Sequence, residues 1–167
     1  MEGLTMSGET ERRHSRPVTR GLDELLVLFE RESGAHMTAG PATEEDLCRV
    51  EAAIGGSLPA DLRAFLSRLG GGLYYHGHEI FGPVRAMVHD IEMVPDLVSV
   101  RERVLHDLQT PADLVPFHRA RGTFHFFDRR GPGVFSANGE RLFADLAGFL
   151  ETIVVPRDAS ASARPSK

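Results

Sequence analysis

Apolar residues recur every three or four positions in five stretches of the chain, a period that predicts amphipathic helices. The predicted helices cover residues 22–32, 43–54, 59–69, 95–108 and 141–154, and their inward positions include Leu108 and Leu142. Thr43 begins the second helix, where Asp46 three residues later forms a capping box. A short Leu58-Pro59 joint then connects it to the third helix. Residues 43–69 therefore predict a helical hairpin.

Between the helices the apolar pattern shortens to the runs that are typical of strands. Residues 73–76 and 78–82 flank Gly77 and predict either a hairpin or one bulged strand. Runs at 114–120, 123–129 and 134–137 follow the fourth helix, with turn residues between them. Together the elements predict an α+β fold, with a mainly antiparallel central sheet on which the helical hairpin and the C-terminal helix pack.

The two ends of the chain are polar and rich in small residues, and they predict disordered tails at 1–19 and 156–167. A single domain is expected at 20–155, because 167 residues fit one domain with little room for a second. The sequence has no signal-peptide core and no apolar run of membrane-spanning length. We therefore expect a cytoplasmic protein with no membrane partner.

Charge and cysteine content exclude several classes of protein. The 19 basic residues against 24 acidic ones give a net charge of −5, which argues against a nucleic-acid partner. The one cysteine, Cys48, excludes an internal disulfide and a cysteine-based zinc site, and its position in the second helix predicts a small core residue. No residue pattern sets an oligomeric state.

Acidic side chains recur through the middle of the chain and offer one hypothesis for partner binding. A face that contains Glu79, Asp90, Glu92 and Asp96 would complement a basic protein. The alternative interpretation is an ordinary solvated surface.

His76, His78 and Glu79 form the stretch that most resembles a set of metal ligands. Residues two apart on a strand point to the same face, so both imidazoles would approach one metal ion. A metal-dependent enzyme is therefore one hypothesis. The preferred interpretation is surface histidines on an edge strand, with no metal and no cofactor bound.

A second histidine pair arises if Arg121-Gly122 is a two-residue turn. That register places His118 opposite His125, and Phe117 opposite Phe126. The histidines would then sense pH or act in acid–base chemistry. The preferred interpretation is that both are exposed on the sheet face away from the core.

Patterns for nucleophilic catalysis or phosphate binding are absent from the sequence. There is no GxSxG motif, and the glycines 70–72 follow a helix, whereas a phosphate loop precedes one. Asp128 ends a predicted strand and is interpreted as a cap of the turn after it. No catalytic residue is therefore predicted.

The run from the acidic helix start at 43–47 to the glycines at 70–72 resembles the SUKH superfamily of the Smi/Knr type. The resemblance covers roughly residues 41–151. Its signature residues in this chain, all with structural roles, are Glu51, Leu58, Pro59, Gly71, Gly72 and Asp128. Two departures are Gly70, where the family often has Asn, and the absence of tryptophan.

This resemblance implies an α+β sheet covered by helices, and no catalytic residues or cofactors. Many bacterial members look like immunity proteins that bind and neutralise a toxin, often a nuclease, and the fungal members are regulatory scaffolds. The leading hypothesis is therefore an immunity protein whose partner is a toxin domain. A housekeeping regulator of the same fold is the alternative.

Overall fold

The structure, a computed structural model, describes residues 20–32, 36–70 and 72–154. Both predicted tails, 1–19 and 156–167, lie outside the described residues, and so does the signature residue Gly71. The described helices are α1 (Leu22–Arg31), α2 (Glu44–Ile54), α3 (Ala60–Leu69), α4 (Leu97–Leu108) and α5 (Leu146–Val154). The described strands are β1 (His36–Met37), β2 (Leu73–Tyr75), β3 (His78–Ile80), β4 (Ala86–Val88), β5 (Ile91–Val94), β6 (Leu114–Ala120), β7 (Thr123–Asp128), β8 (Gly131–Phe135) and β9 (Arg141–Phe143).

Seven of these strands form one antiparallel sheet in the order β1-β2-β3-β6-β7-β8-β9. Strands β4 and β5 pair only with each other and form a separate two-stranded sheet. The prediction of an α+β fold with a mainly antiparallel central sheet is confirmed. The sequence predicts no strand over β1, β4, β5 or β9, each of which has at most four residues.

Helices cover both faces of the large sheet. Phe149 of α5 lies against the face that carries His118, with their ring centroids 4.8 Å apart. Helix α1 contacts both α3 and α5 on this side. On the other face, Val100 and Val104 of α4 line a cavity together with Phe124. The apolar core therefore lies between the sheet and its helices.

Helix α2 begins with the predicted capping box. The backbone N–H of Asp46 donates to Thr43 Oγ1, and the N–H of Thr43 donates to Asp46 Oδ2, each at 3.2 Å. Gly55 ends the helix with φ 71°, a left-handed conformation that glycine adopts without strain. The predicted α2–α3 connection is confirmed, except that Pro59 is the N-cap and α3 begins at Ala60.

Three predictions about the helices are wrong. Cys48 is exposed, because α2 turns Leu47, Val50 and Ile54 toward the core instead. Leu108, in the last turn of α4, is 49% exposed.

Within the described residues, no helix has both the length and the apolar composition required to cross a membrane.

The third wrong prediction is the start of the last helix, which begins at Leu146 and not near Arg141. Residues Arg141–Phe143 form β9 instead, and Leu142 is 42% exposed. Two carboxylates fix the start of α5, because Asp61 Oδ2 accepts from the N–H of Leu146 at 2.9 Å and Asp145 Oδ1 accepts from the N–H of Gly148 at 2.8 Å. Carboxylates stabilise the first turn of a helix by bonding to its unpaired N–H groups.

Candidate protein-binding surface

The segment 84–94, called here the exposed hairpin, presents most of the large apolar side chains that the described residues leave in solvent. Six such side chains are exposed in the described part of the chain, and Val84, Met87, Ile91 and Met93 belong to this segment. Ile91 is the most accessible of them, with 63% of its surface exposed. Clusters of exposed apolar residues mark interaction sites more often than isolated ones do.

The base of the exposed hairpin is held in the core. Ala86 and Val94 are opposite each other in the register, and both are buried. Just beyond the hairpin, the N–H of Leu97 donates to the carbonyl of Gly82 at 2.8 Å. Gly72 has φ +67°, and a Cβ on it would lie 2.8 Å from the backbone N of Ala86. The signature glycine therefore allows β4 to approach closely, while the tip of the hairpin projects outward.

Two of the predicted acidic residues lie on this hairpin. Asp90 is exposed at its tip, where His89 and Asp90 both have positive φ, 47° and 65°. Glu92 is exposed on β5, and its carboxylate lies 3.4 Å from the Arg85 guanidinium. The exposed hairpin therefore combines apolar side chains with acidic ones.

The other two predicted acidic residues have structural partners. Asp96 is the N-cap of α4, since its Oδ1 accepts from the N–H of Ser99 at 2.9 Å. Glu79 lies on β3 of the large sheet and accepts from Arg119 Nε at 2.9 Å. If Asp96 or Glu79 also binds a partner, its carboxylate must contact that partner in addition to Ser99 or Arg119.

The predicted metal ligands are not brought together. His76 and Gly77 form the turn between β2 and β3, so His76 is not on the strand that carries His78. His78 and Glu79 are consecutive strand residues and point to opposite faces of the sheet. No group of three or more His, Cys, Asp or Glu side chains in the described residues is arranged to hold a metal ion.

The pairing of His118 with His125 across the Arg121-Gly122 turn is confirmed. The predicted exposure of this pair is wrong, because His118 is only 1% exposed. Phe117 does not pair with Phe126 either, since the register shifts at this point and Pro116 takes that position. This irregularity allows both Phe117 and His118 to contact Phe149, at centroid distances of 5.5 and 4.8 Å.

Three imidazoles form a row here, called the histidine chain: His78, His118 and His125. His118 Nε2 lies 3.0 Å from His78 Nδ1, and His118 Nδ1 lies 3.0 Å from His125 Nδ1. Burial, followed by the charges of His125 and His78, lowers the pKa of His118 to about 3. Burial also lowers the pKa of His78 and of His125. The neutral imidazole is therefore the favoured form of all three histidines in the histidine chain.

Glu51 is a signature residue with a defined task at the α2–α3 joint. Its Oε1 accepts from the N–H of Leu58 at 3.0 Å and lies 3.4 Å from Arg63 Nε. Leu58 is buried, and Pro59 follows it as the N-cap of α3. Glu51 therefore fixes the direction in which the chain leaves α2.

Replacing Glu51 with Ala is expected to lower the free energy of unfolding by about 1–3 kcal/mol, because the N–H of Leu58 would lose its acceptor. Glu51→Gln is the matched control, since its amide oxygen retains that bond while the charge opposite Arg63 is lost. Urea unfolding of both variants measures the difference. Equal losses in the two variants would contradict the assigned role.

Asp128 and Arg129 hold the loop after β7. Asp128 Oδ1 accepts from the N–H of Arg130 at 2.8 Å, which is the turn cap that the sequence predicts. Sequence reasoning missed Arg129, whose Nη1 donates to the carbonyls of Ile54 and Gly55 at 2.6 and 3.0 Å. These contacts join residues more than 70 positions apart, and no local pattern marks them.

A comparison with protein families decides the relationship. Residues 41–152 match the model of the SMI1 / KNR4 family (SUKH-1), which is about two thirds of the chain. The chain belongs to this family. The matched region contains α2, α3, the exposed hairpin, the histidine chain and most of α5, whereas α1 precedes it. No match is found among curated proteins.

The SMI1/KNR4 assignment confirms the resemblance drawn from the signature residues. Glu51, Leu58, Pro59, Gly72 and Asp128 all lie within the matched region. In the structure they cap, join or allow close packing.

Proposed function

We propose that this chain is a non-enzymatic protein-binding module, and specifically an immunity protein that binds and neutralises a cognate toxin domain. Membership of the SMI1/KNR4 family is compatible with immunity and with regulatory roles. The observation that carries the proposal is the exposed hairpin, which holds its apolar side chains in solvent on a base anchored in the core.

The exposed hairpin has the composition of a binding surface. Met87 and Met93 are flexible and polarizable, and such side chains adapt to a partner's contours. Ile91 is the most exposed of the group and suits the centre of a contact. Burial of these side chains by a partner removes apolar surface from water, which is the main favourable term in association.

The charge of the molecule favours a basic partner. Asp90 and Glu92 flank the apolar side chains, and the whole chain carries a net charge of −5. A nuclease toxin must present a basic cleft to its substrate, because nucleic-acid binding depends on phosphate neutralisation. An acidic protein with an apolar projection would enter such a cleft in place of the substrate.

Co-expression tests this proposal in cells. The chain is expressed together with the product of a neighbouring reading frame that is toxic by itself. We expect full growth with the native chain, and growth arrest with an Ile91→Asp variant that accumulates to the same level. An immunity role would be contradicted if the toxin still arrested growth in cells with abundant native chain and gel filtration showed no complex between the two proteins.

A housekeeping regulatory scaffold is the second candidate, and the exposed hairpin fits it equally well, since a scaffold also needs a protein-binding surface. Genomic position separates the two candidates. An immunity gene is expected beside a toxin gene, whereas a regulator is expected far from any toxin or secretion cluster. A growth defect on deletion without any toxin present would favour the regulator.

A further inference from the structure

The histidine chain crosses the centre of the large sheet. His78 lies on β3, His118 on β6 and His125 on β7, which are neighbouring strands. Both nitrogens of His118 are used, one at 3.0 Å from His78 Nδ1 and one at 3.0 Å from His125 Nδ1. His118 is 1% exposed, so water does not substitute for either contact.

Helix α5 covers this row of imidazoles. The ring centroid of Phe149 lies 4.8 Å from that of His118 and 5.0 Å from that of His125. Phe117 and Phe143 contact the same phenyl ring, each at 5.5 Å. The histidine chain is therefore a polar layer beneath the helix that closes the domain.

Counting hydrogen atoms shows how many protons the histidine chain can hold. Each of its two N···N contacts requires one hydrogen, because one nitrogen must donate and the other accept. Three neutral imidazoles supply three hydrogens, of which two fill the contacts and one lies on an outer nitrogen, Nε2 of His78 or of His125. One added proton fills the second outer nitrogen, so both contacts survive.

A second added proton has no outer nitrogen left to occupy. It must enter one of the two contacts, where two N–H groups would then face each other. That contact becomes repulsive, and the row would carry two positive charges within a buried layer. Since His118 lies between the other two rings, the disrupted contact is always one beneath Phe149.

Neighbouring groups beside His78 do not favour the second proton. Burial lowers the pKa of His78 most, and the positive charges of Arg121 and His76, in the turns next to it, lower it further. Tyr75 lies opposite His78 on β2, and its hydroxyl donates to Glu32.

Three acidic residues lie on the elements that carry or surround the histidine chain, and each has a different position relative to it. Glu79 and Arg119 are adjacent in sequence to His78 and His118, and therefore point to the opposite sheet face, where they pair with each other. Glu140 lines the same surface cleft as His125. On α5, Glu151 is two residues from Phe149 and so does not share its side of the helix.

We propose that the histidine chain is a pH-sensitive latch, which holds α5 on the sheet while it binds at most one proton and releases α5 when it binds a second. Acidification therefore loosens the C-terminal side of the domain before the rest unfolds. The latch acts within the fold and is independent of the proposed partner.

The direction of the pH effect follows from protonation in the closed and open states. An exposed histidine has a pKa of about 6.5, and burial lowers the pKa of His118 to about 3 in the closed state. The closed state is therefore fully stable above about pH 7 and loses stability as the pH falls toward 3. His118 alone raises the opening equilibrium constant about 25-fold between pH 7 and pH 5.

Hydrogen exchange on the full chain tests the latch. We expect the protection factors of the Phe149 and Leu150 amides in α5 to fall at least tenfold between pH 7 and pH 5. Those of Leu47 and Val50 in α2 should change less than twofold. Equal changes in both helices, or none in either, would overturn the proposal.

Two variants complete the test. His118→Gln removes the buried ring at the centre of the histidine chain, so the pH response of α5 should largely disappear. His89→Gln with His106→Gln replaces two exposed histidines outside the histidine chain and should leave that response unchanged. If His118→Gln does not fold, nitrogen-15 spectra of the native imidazoles decide. The latch is supported if His118 is neutral at pH 5 while the three rings share one added proton. It is overturned if the three rings titrate independently, each near pH 6.5.

Discussion

Ile91→Asp is expected to weaken binding to the toxin partner about 30- to 1,000-fold while leaving the chain as stable as before. Ile91 is 63% exposed, so its replacement removes little from the core. Replacing a hot-spot residue at the centre of an interface costs about 2–4 kcal/mol, and 1.4 kcal/mol corresponds to a tenfold change in affinity. Calorimetric titration of the partner domain measures the loss.

The matched control for this result is Leu142→Asp. Leu142 is also apolar and exposed, but it lies on β9 of the large sheet and not on the exposed hairpin. We expect the affinity of this variant to remain within a factor of two of the native value. If Leu142→Asp weakens binding as much as Ile91→Asp does, the partner does not recognise the hairpin specifically.

Gly70→Ala is expected to cause the largest loss of stability, more than about 3 kcal/mol. A Cβ at this position would lie 1.6 Å from the carbonyl oxygen of Gly40, with which Gly70 forms an isolated parallel bridge. Its backbone, at φ 90° and ψ 173°, is in a region that side chains with a Cβ hardly ever adopt. Neither the clash with the Gly40 carbonyl oxygen nor the unfavourable conformation of residue 70 can be relieved without moving the backbone.

Gly77→Ala separates the two causes. Gly77 also has a positive φ of 85°, but nothing lies within 4 Å of a Cβ built on it. This variant should lose only about 1–2 kcal/mol, the cost of a left-handed backbone for a residue with a Cβ. Urea unfolding compares the two. Equal losses would show that close packing at Gly40 contributes little.

Local chemistry explains why α2 was predicted well from the sequence. Its capping box and its terminal glycines act within a few residues, so the pattern contains all the necessary information. The start of α5 could not be found in this way. It is fixed in part by Asp61, which is 85 residues away along the chain.

The histidine chain shows the same division between local and distant information. The two-residue turn predicted the pairing of His118 with His125 through simple register arithmetic. Alternation along β6 then placed His118 on the side opposite Phe117, and the irregular register at Pro116 overturned that expectation. The third member, His78, belongs to a different hairpin, so only the order of strands in the sheet brings it alongside.

The exposed hairpin was recognised from sequence only through its acidic residues. Asp90 and Glu92 stand out in the sequence by their charge, whereas no strand is predicted over β4 or β5. Exposure of Met87 and Ile91 is a property of the folded chain, because an apolar residue in a sequence is normally expected inside. The apolar half of the surface therefore required the structure.

Titration of toxin activity with the purified chain tests the central claim most directly. The toxin domain encoded in the neighbouring reading frame is held at a fixed concentration, and its activity is measured as the chain is added. An immunity protein should abolish the activity at one molar equivalent and form a stable complex. Full activity in the presence of a tenfold excess of folded chain would contradict the proposed function.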